Sequence, residues 1–247
     1  MPSAAPSLTV VMPVLNERAT LRRAVKRMLD TELPVPLELL VVDDGSTDGC
    51  LDTIADLAGA GADGLAASGG HGQSELRIVR HERNQGKGAA VRTGIREAKG
   101  SILTILDADL EYDPADYNDL LRPMLAGETR VVYGTRQFGA HTAYSFWYVM
   151  GNKMLAFVAS LLYDTWLTDV ETCFKMANTE IWRSLDLRSD GFEIEVEFTG
   201  KVLRSGERIF EQPISYKARG REEGKKLQWT DGVRALWVLA RIRARGR

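Results

Sequence analysis

The sequence predicts an α/β fold: a doubly wound, mostly parallel sheet flanked by helices, in a single domain that closes on an amphipathic C-terminal helix. Two observations carry this. Through the first half, short apolar runs alternate with amphipathic stretches of ten or more residues, the pattern of right-handed βαβ units. Two of the runs, residues 37–43 and 102–106, are apolar almost throughout and end abruptly in carboxylates. That is how a strand buried on both faces reads when ligand groups sit beyond its carboxyl end. At 247 residues the chain can hold one large α/β domain, and no linker-like composition divides it.

Each element follows in order. Residues 8–13 form a first strand. Asn16 and Glu17 open a helix to Leu29, with Leu21, Val25, Met28 and Leu29 on one face and Arg22, Arg23 and Lys26 on the other. Pro34 and Pro36 break the chain before the second strand, 37–43. A turn at 44–48 offers Ser46 or Thr47 as the cap of a helix to about Leu57. Residues 59–74, rich in Gly, Ala and Ser, read as a mobile surface loop with no function attached.

A third strand at 76–80 leads through Asn84-Gln85-Gly86-Lys87 into a helix that ends at Ala98. The acid-ended strand 102–106, a helix at 114–125 and a fifth strand at 130–135 follow. Beyond Arg136 the pattern changes. Residues 142–166 are aromatic-rich and helical in appearance, 173–177 suit a short strand, and 193–203 a helix. Residues 209–216 suit a strand interrupted at Pro213, and 229–243 a basic amphipathic helix.

Composition narrows the function. Lys and Arg total 32 against 34 Asp and Glu, so no basic footprint for nucleic acid exists. Cys50 and Cys173 match no zinc or redox spacing and read as free thiols of a cytosolic protein. The N-terminus lacks the pattern of a signal peptide. The most apolar long segment, 143–162, carries Asn152 and Lys153 at its middle, which argues against a membrane span.

Chemistry concentrates at the ends of the strands. Asp107, Asp109 and Glu111 repel one another unless a hard divalent cation such as Mg2+ or Mn2+ lies between them. The alternative is an acidic loop whose Asp113-Pro114 starts a helix. With Asn16, Glu17 and Asp43 at the same sheet edge, the three clusters suit the base, ribose and diphosphate of a nucleotide. Gln85-Gly86-Lys87-Gly88 matches neither the P-loop nor the dinucleotide fingerprint. A helix start aimed at phosphate and a glycine-permitted tight turn both remain open there. His71, His81 and His141 show no ligand spacing.

These residues carry a resemblance. Val11-Met-Pro13-Val-Leu-Asn16-Glu17, Val41-Val-Asp43-Asp44-Gly-Ser-Thr-Asp48, Asn84-Gln-Gly-Lys87-Gly and Asp107-Ala-Asp109 together resemble family 2 glycosyltransferases of the GT-A fold. Tyr133-Gly-Thr-Arg136, Thr168-Asp169-x-Glu171-Thr-Cys-Phe-Lys175, Gly191-Phe-Glu193-x-Glu195 and Pro213-Ile-Ser-Tyr216 are similar to the branch related to dolichol-phosphate mannosyltransferase.

The resemblance implies a nucleotide-sugar-binding half at 1–136, an acceptor half at 137–228 and the C-terminal helix at 229–247. It implies that Pro13, Asn16, Glu17 and Asp43, with Asp44, Lys87 and Asp107, bind a UDP- or GDP-sugar. Asp107 and Asp109 would hold the metal, with Glu111 as a further ligand where that branch usually has Gln. Arg136 would face the acceptor or the leaving diphosphate, helped by Lys87 or Lys175. Transfer would invert the anomeric carbon.

A lipid-phosphate acceptor such as polyprenyl phosphate needs no general base. A saccharide hydroxyl does, with Asp169 or Glu171 as the candidate, unless both merely pair with Lys175 or an arginine. A non-catalytic nucleotide-sugar-binding module is the alternative outside enzymes. A nucleotidyltransferase would need a glycine-rich basic N-terminal signature that is absent. Residues 144–150 suit either a membrane interface or packing. The last helix, with Trp229, Val233, Leu236, Trp237 and Ala240 broadly on one side and five arginines near its end, suits peripheral contact with the cytoplasmic membrane face.

Overall fold

The computed structural model describes residues 5–58, 65–67, 74–137, 139, 146–218 and 229–244. The strands are β1 (Leu8–Val14), β2 (Leu37–Asp43), β3 (Leu65–Ala67), β4 (Ser74–Arg80), β5 (Ile102–Ile105), β6 (Val131–Thr135), β7 (Lys175–Asn178) and β8 (Phe210–Pro213). The helices are α1 (Leu21–Leu29), α2 (Lys87–Glu97), α3 (Tyr117–Leu125), α4 (Phe146–Tyr163), α5 (Thr179–Ser184), α6 (Ile194–Arg204) and α7 (Trp229–Ala244).

The strands form one sheet in the order β3-β4-β2-β1-β5-β7-β6-β8. Pairing is parallel among β4, β2, β1 and β5, and between β6 and β8. β7 runs antiparallel between β5 and β6. Its register sets Ile102 against Asn178 and Leu103 against Ala177, so its first residue, Lys175, lies at the edge where β5 ends. The carboxyl ends of β1, β2, β5 and β6 share that edge. Every residue of β2 is buried, as a strand covered on both faces requires.

Several expected boundaries move. α1 begins at Leu21 because Asn16 takes a left-handed turn, φ 55°, and a hydrogen-bonded turn from Glu17 to Thr20 precedes the helix. The helix expected to reach Leu57 is a short 3₁₀ turn, Cys50–Ile54. Within 59–74, β3 pairs antiparallel with β4, which itself begins at Ser74, so part of the expected loop is sheet. The rest of it lies outside the described residues.

Most of the apolar side chains form one core on the two faces of the sheet. A second cluster joins Leu155, Ala156 and Ala159 of α4 to Val196 of α6 and Ala235 and Leu239 of α7, with Leu167 and Val170. α7 is therefore a packing element of the domain. Its buried residues are Ala235, Val238, Leu239 and Ile242, whereas Val233 and Trp237 point outward. Arg243 Nε donates to the carbonyl of Leu162 near the end of α4 at 2.8 Å, a cation at a helix C-terminus. Both cysteines are buried and free.

Candidate active site

A cleft of about 420 Å³ opens at the carboxyl edge of the sheet. Pro13, Glu17, Asp44, Lys87, Asp107, Asp109, Glu111, Arg136, Asp169 and Glu171 all line it, so the topology brings together ten of the twelve predicted site residues. Asn16 and Asp43 do not reach it. Asn16 Oδ1 accepts from Thr47 N at 2.9 Å while its own N–H donates to Ser46 Oγ, which pins the turn after β1 to the turn after β2. Asp43 is fully buried; its Oδ1 accepts from Ser46 N at 3.0 Å, and its Oδ2 lies 3.2 Å from Arg80 Nε.

Asp44 lines the cleft but is committed to the protein. Its carboxylate accepts from the backbone N–H groups of Gln85 and Gly86 at 2.9 and 2.7 Å, and lies 2.7 Å from His81 Nδ1. It thereby fixes the loop that leads into α2. In that loop the backbone N–H groups of Gly86 and Gly88 are already taken within the protein. Gly88 N donates to Asp190 O at 2.7 Å, and a Cβ at Gly88 would lie 2.2 Å from Ser189 O. Gly86 has φ 101°, and its Cβ would lie 2.3 Å from Asp190 O. The glycines serve close approach of two backbone segments.

What α2 does present to the cleft is Lys87. Its Nζ donates to Asp107 Oδ2 at 2.9 Å, stands 3.3 Å from Glu195 Oε1 and lies over the Phe192 ring at 5.6 Å. Burial alone would lower its pKa, but Asp107 and the other negative neighbours outweigh this and hold it well above the ordinary lysine value. Behind it, the fully buried Lys175 donates to Glu195 Oε2 at 3.0 Å and to Thr172 O.

The acidic loop after β5 does not close into a three-carboxylate cage. Among the described residues, no group of three or more His, Cys, Asp or Glu is arranged to hold a metal ion. Leu110, with φ 66°, turns the chain between the second and third acids. Asp109 Oδ1 accepts from Glu111 N at 3.1 Å, and Glu111 Oε2 accepts from Tyr216 OH at 2.6 Å. Glu111 is thus drawn toward the segment after β8, whose Lys217 N also bonds its carbonyl at 2.8 Å. Asp107 and Asp109 remain a hard-oxygen donor pair of the kind Mg2+ and Mn2+ take alongside substrate phosphates.

On the other wall, Arg136 makes a bidentate pair with the fully buried Asp169: Nε to Oδ2 at 2.6 Å and Nη2 to Oδ1 at 2.7 Å. The Arg136 backbone N–H donates to Oδ2 at 3.2 Å and Asn152 Nδ2 to Oδ1 at 3.0 Å. Burial would raise the pKa of Asp169. The Arg136 charge and hydrogen bonds, with Asn152, outweigh it and hold the carboxyl below its ordinary value. The guanidinium also lies over the Tyr216 ring at 5.1 Å. The expected partner of Asp169 is an arginine, not Lys175, which belongs to Glu195.

Reasoning from sequence missed Glu195, Asn152 and Tyr216 as site residues. Glu195 and Tyr216 stood inside recognised motifs, and Asn152 was the polar break in an apolar run.

A family model described as Glycosyl transferase family 2 matches residues 9–185. The dolichol-phosphate mannosyltransferase of Mycosarcoma maydis is 27% identical over 234 residues, covering 90% of this chain and 74% of that one. The dodecaprenyl-phosphate galacturonate synthase of Rhizobium johnstonii is 33% identical over 132 residues, 53% of this chain and 36% of that one, so only about a third of its length is matched. The glucosyl-3-phosphoglycerate synthase of Mycobacterium tuberculosis, solved with Mn2+, uridine-diphosphate-glucose and phosphoglyceric acid, superposes with a TM-score of 0.70 at 19% identity. That likeness covers 98% of this chain and 81% of that one, and at this identity it speaks for the fold alone. The sheet, the strand-edge cleft and the family match agree: this chain belongs to glycosyl transferase family 2.

Proposed function

We propose that the enzyme moves a hexose from a UDP- or GDP-sugar to polyprenyl phosphate, with inversion at the anomeric carbon, at the cytoplasmic face of a membrane. The observation that carries the acceptor is the Arg136–Asp169 pair. A buried carboxylate clamped by an arginine and held ionised is a poor proton acceptor for a hydroxyl, because protonation would strand the guanidinium. A phosphate oxygen is already anionic near neutral pH, since its second ionisation lies near pH 6, and needs no base. Two relatives whose names specify polyprenyl-type phosphates support the same choice.

In this reading Pro13 and Glu17 bound the nucleoside pocket, while Asn16, Asp43 and Asp44 act through the turns they brace. Lys87 meets the diphosphate from the end of α2, and Arg136 faces the acceptor phosphate. Asp107 and Asp109 would hold Mg2+ or Mn2+, which would neutralise charge on the leaving diphosphate. A saccharide-hydroxyl acceptor with Glu171 as base is the second reading, favoured by the half-buried position of Glu171 in the cleft wall.

Thermal shift with UDP- and GDP-sugars, with and without Mn2+, tests the donor, because a ligand bound only by the native state raises the melting temperature. One nucleotide class should stabilise the enzyme in a Mn2+-dependent way, and Asp107→Ala should remove the Mn2+ dependence. Equal stabilisation of wild type with and without Mn2+ would refute the metal assignment. Transfer to a saccharide that vanishes in Glu171→Gln, with no product on polyprenyl phosphate, would replace the acceptor.

A further inference from the structure

Four charged side chains follow one another from the cleft into the protein: Asp107, Lys87, Glu195 and the fully buried Lys175. The two lysines balance the two acids. Lys175 is fully buried and fixed on Glu195 Oε2. The Lys87 ammonium is on Asp107 Oδ2 at 2.9 Å, and only 3.3 Å separates it from Glu195 Oε1. That second oxygen is buried and makes no hydrogen bond. A buried carboxylate oxygen without a donor is costly, and here a donor stands just short of it.

A divalent cation arriving at Asp107 meets an ammonium already there. Adding its charge without any movement would set cation against cation a few ångströms apart. The Lys87 backbone is held by the packing of Gly86 and Gly88 on residues 189–190, so only its side chain can yield. We propose that Glu195 is a positioning residue for Lys87: its bare Oε1 receives the ammonium when a divalent cation takes Asp107, so the site exchanges one cation for another. This rests on the metal use proposed above.

The test is Mn2+ binding to the full chain without nucleotide, read from the electron paramagnetic resonance signal of free Mn2+. Lys87→Met removes the internal competitor and should tighten Mn2+ binding about tenfold, the scale on which a single adjacent charge acts. Glu195→Gln keeps a single acceptor oxygen, which the buried Lys175 takes, and turns an NH2 toward Lys87, so it should weaken Mn2+ binding several-fold. In the Lys87→Met background Glu195→Gln should change it little, because Glu195 acts through the lysine. Equal or weaker binding in Lys87→Met overturns the exchange. So does an equal effect of Glu195→Gln in both backgrounds, which would mean that its charge acts directly on the cation. If Glu195→Gln does not fold because Lys175 loses its partner, Lys87→Met alone decides. Absence of Mn2+ binding in wild type and Lys87→Met alike, both without nucleotide and with UDP or GDP added, would overturn the metal reading and the exchange with it.

Discussion

Burying a carboxylate costs several kcal/mol unless a cation and hydrogen bonds replace its water. Asp169 has both, in Arg136 and Asn152. Its pKa is depressed, so the stability it contributes is full above the ordinary value of 3.8 and is lost as pH falls through the lowered one. Asp169→Asn leaves the Arg136 charge without its partner and should destabilise the fold by about 3 kcal/mol at pH 7. The difference from wild type should shrink on acidification below the ordinary range, as urea unfolding at pH 7 and pH 3 would register. Activity should fall because Arg136 loses its orientation. Under the lipid-phosphate reading no proton passes through this residue, so the pH–rate profile should nevertheless keep its shape. A rising limb that flattens in the variant would restore Asp169 as a general base.

At the scale of elements, the legible parts were those with a strong local signal. β1, β2 and β5 announced themselves by nearly continuous apolar runs, and the acids that follow them placed the cleft. The antiparallel insertion of β7 was not legible. Direction of pairing depends on how the chain returns from α4, and nothing local in residues 175–178 encodes it. In the C-terminal helix the side read as a membrane face carries the exposed Val233 and Trp237, while the buried positions are Ala235, Val238, Leu239 and Ile242. That this helix would also supply part of a second core was not legible, because its partners in α4 and α6 lie far away in the chain. Nor did the sequence distinguish a phosphate loop from a packed turn at Gln85–Gly88, because glycine serves both. The packed turn makes a test. Gly88→Ala sets a methyl against the carbonyl of Ser189, which is backbone and cannot swing away. It should destabilise the enzyme by about 1–3 kcal/mol, as overpacking does. A melting temperature equal to wild type would mean that the 189–190 segment yields freely.

Across the whole molecule, the cleft and an apolar surface share the same two helices. Val149, Asn152 and Lys153 of α4 and Ala235 of α7 line the cleft. On its outer side α4 exposes Phe146, Met150, Met154, Phe157 and Leu161, a stripe at helical spacing. Leu161 is 72% exposed, Trp166 just beyond the helix 82%, and Trp237 of α7 60%. A row of this size on a water-facing surface marks an interaction site. Under the proposed lipid-phosphate acceptor, the stripe is the face that would lie on a bilayer. An acceptor whose phosphate projects from the lipid would then meet the cleft where α4 borders it. Deleting α7 cannot test this, because the truncation would also remove Ala235 and Leu239 from the second core. Substituting exposed residues can. Phe157→Ser with Leu161→Ser should lower binding to vesicles containing anionic lipid by about a hundredfold or more, given roughly 1.5–3 kcal/mol for each large apolar side chain withdrawn from water. The melting temperature should not change, since both side chains are exposed. Turnover of a short-chain, water-soluble acceptor should persist while turnover of a long-chain acceptor in vesicles falls. If vesicle binding is unchanged and sedimentation shows the wild type dimeric and the variant monomeric, the stripe is a subunit interface and the enzyme meets its acceptor by another face.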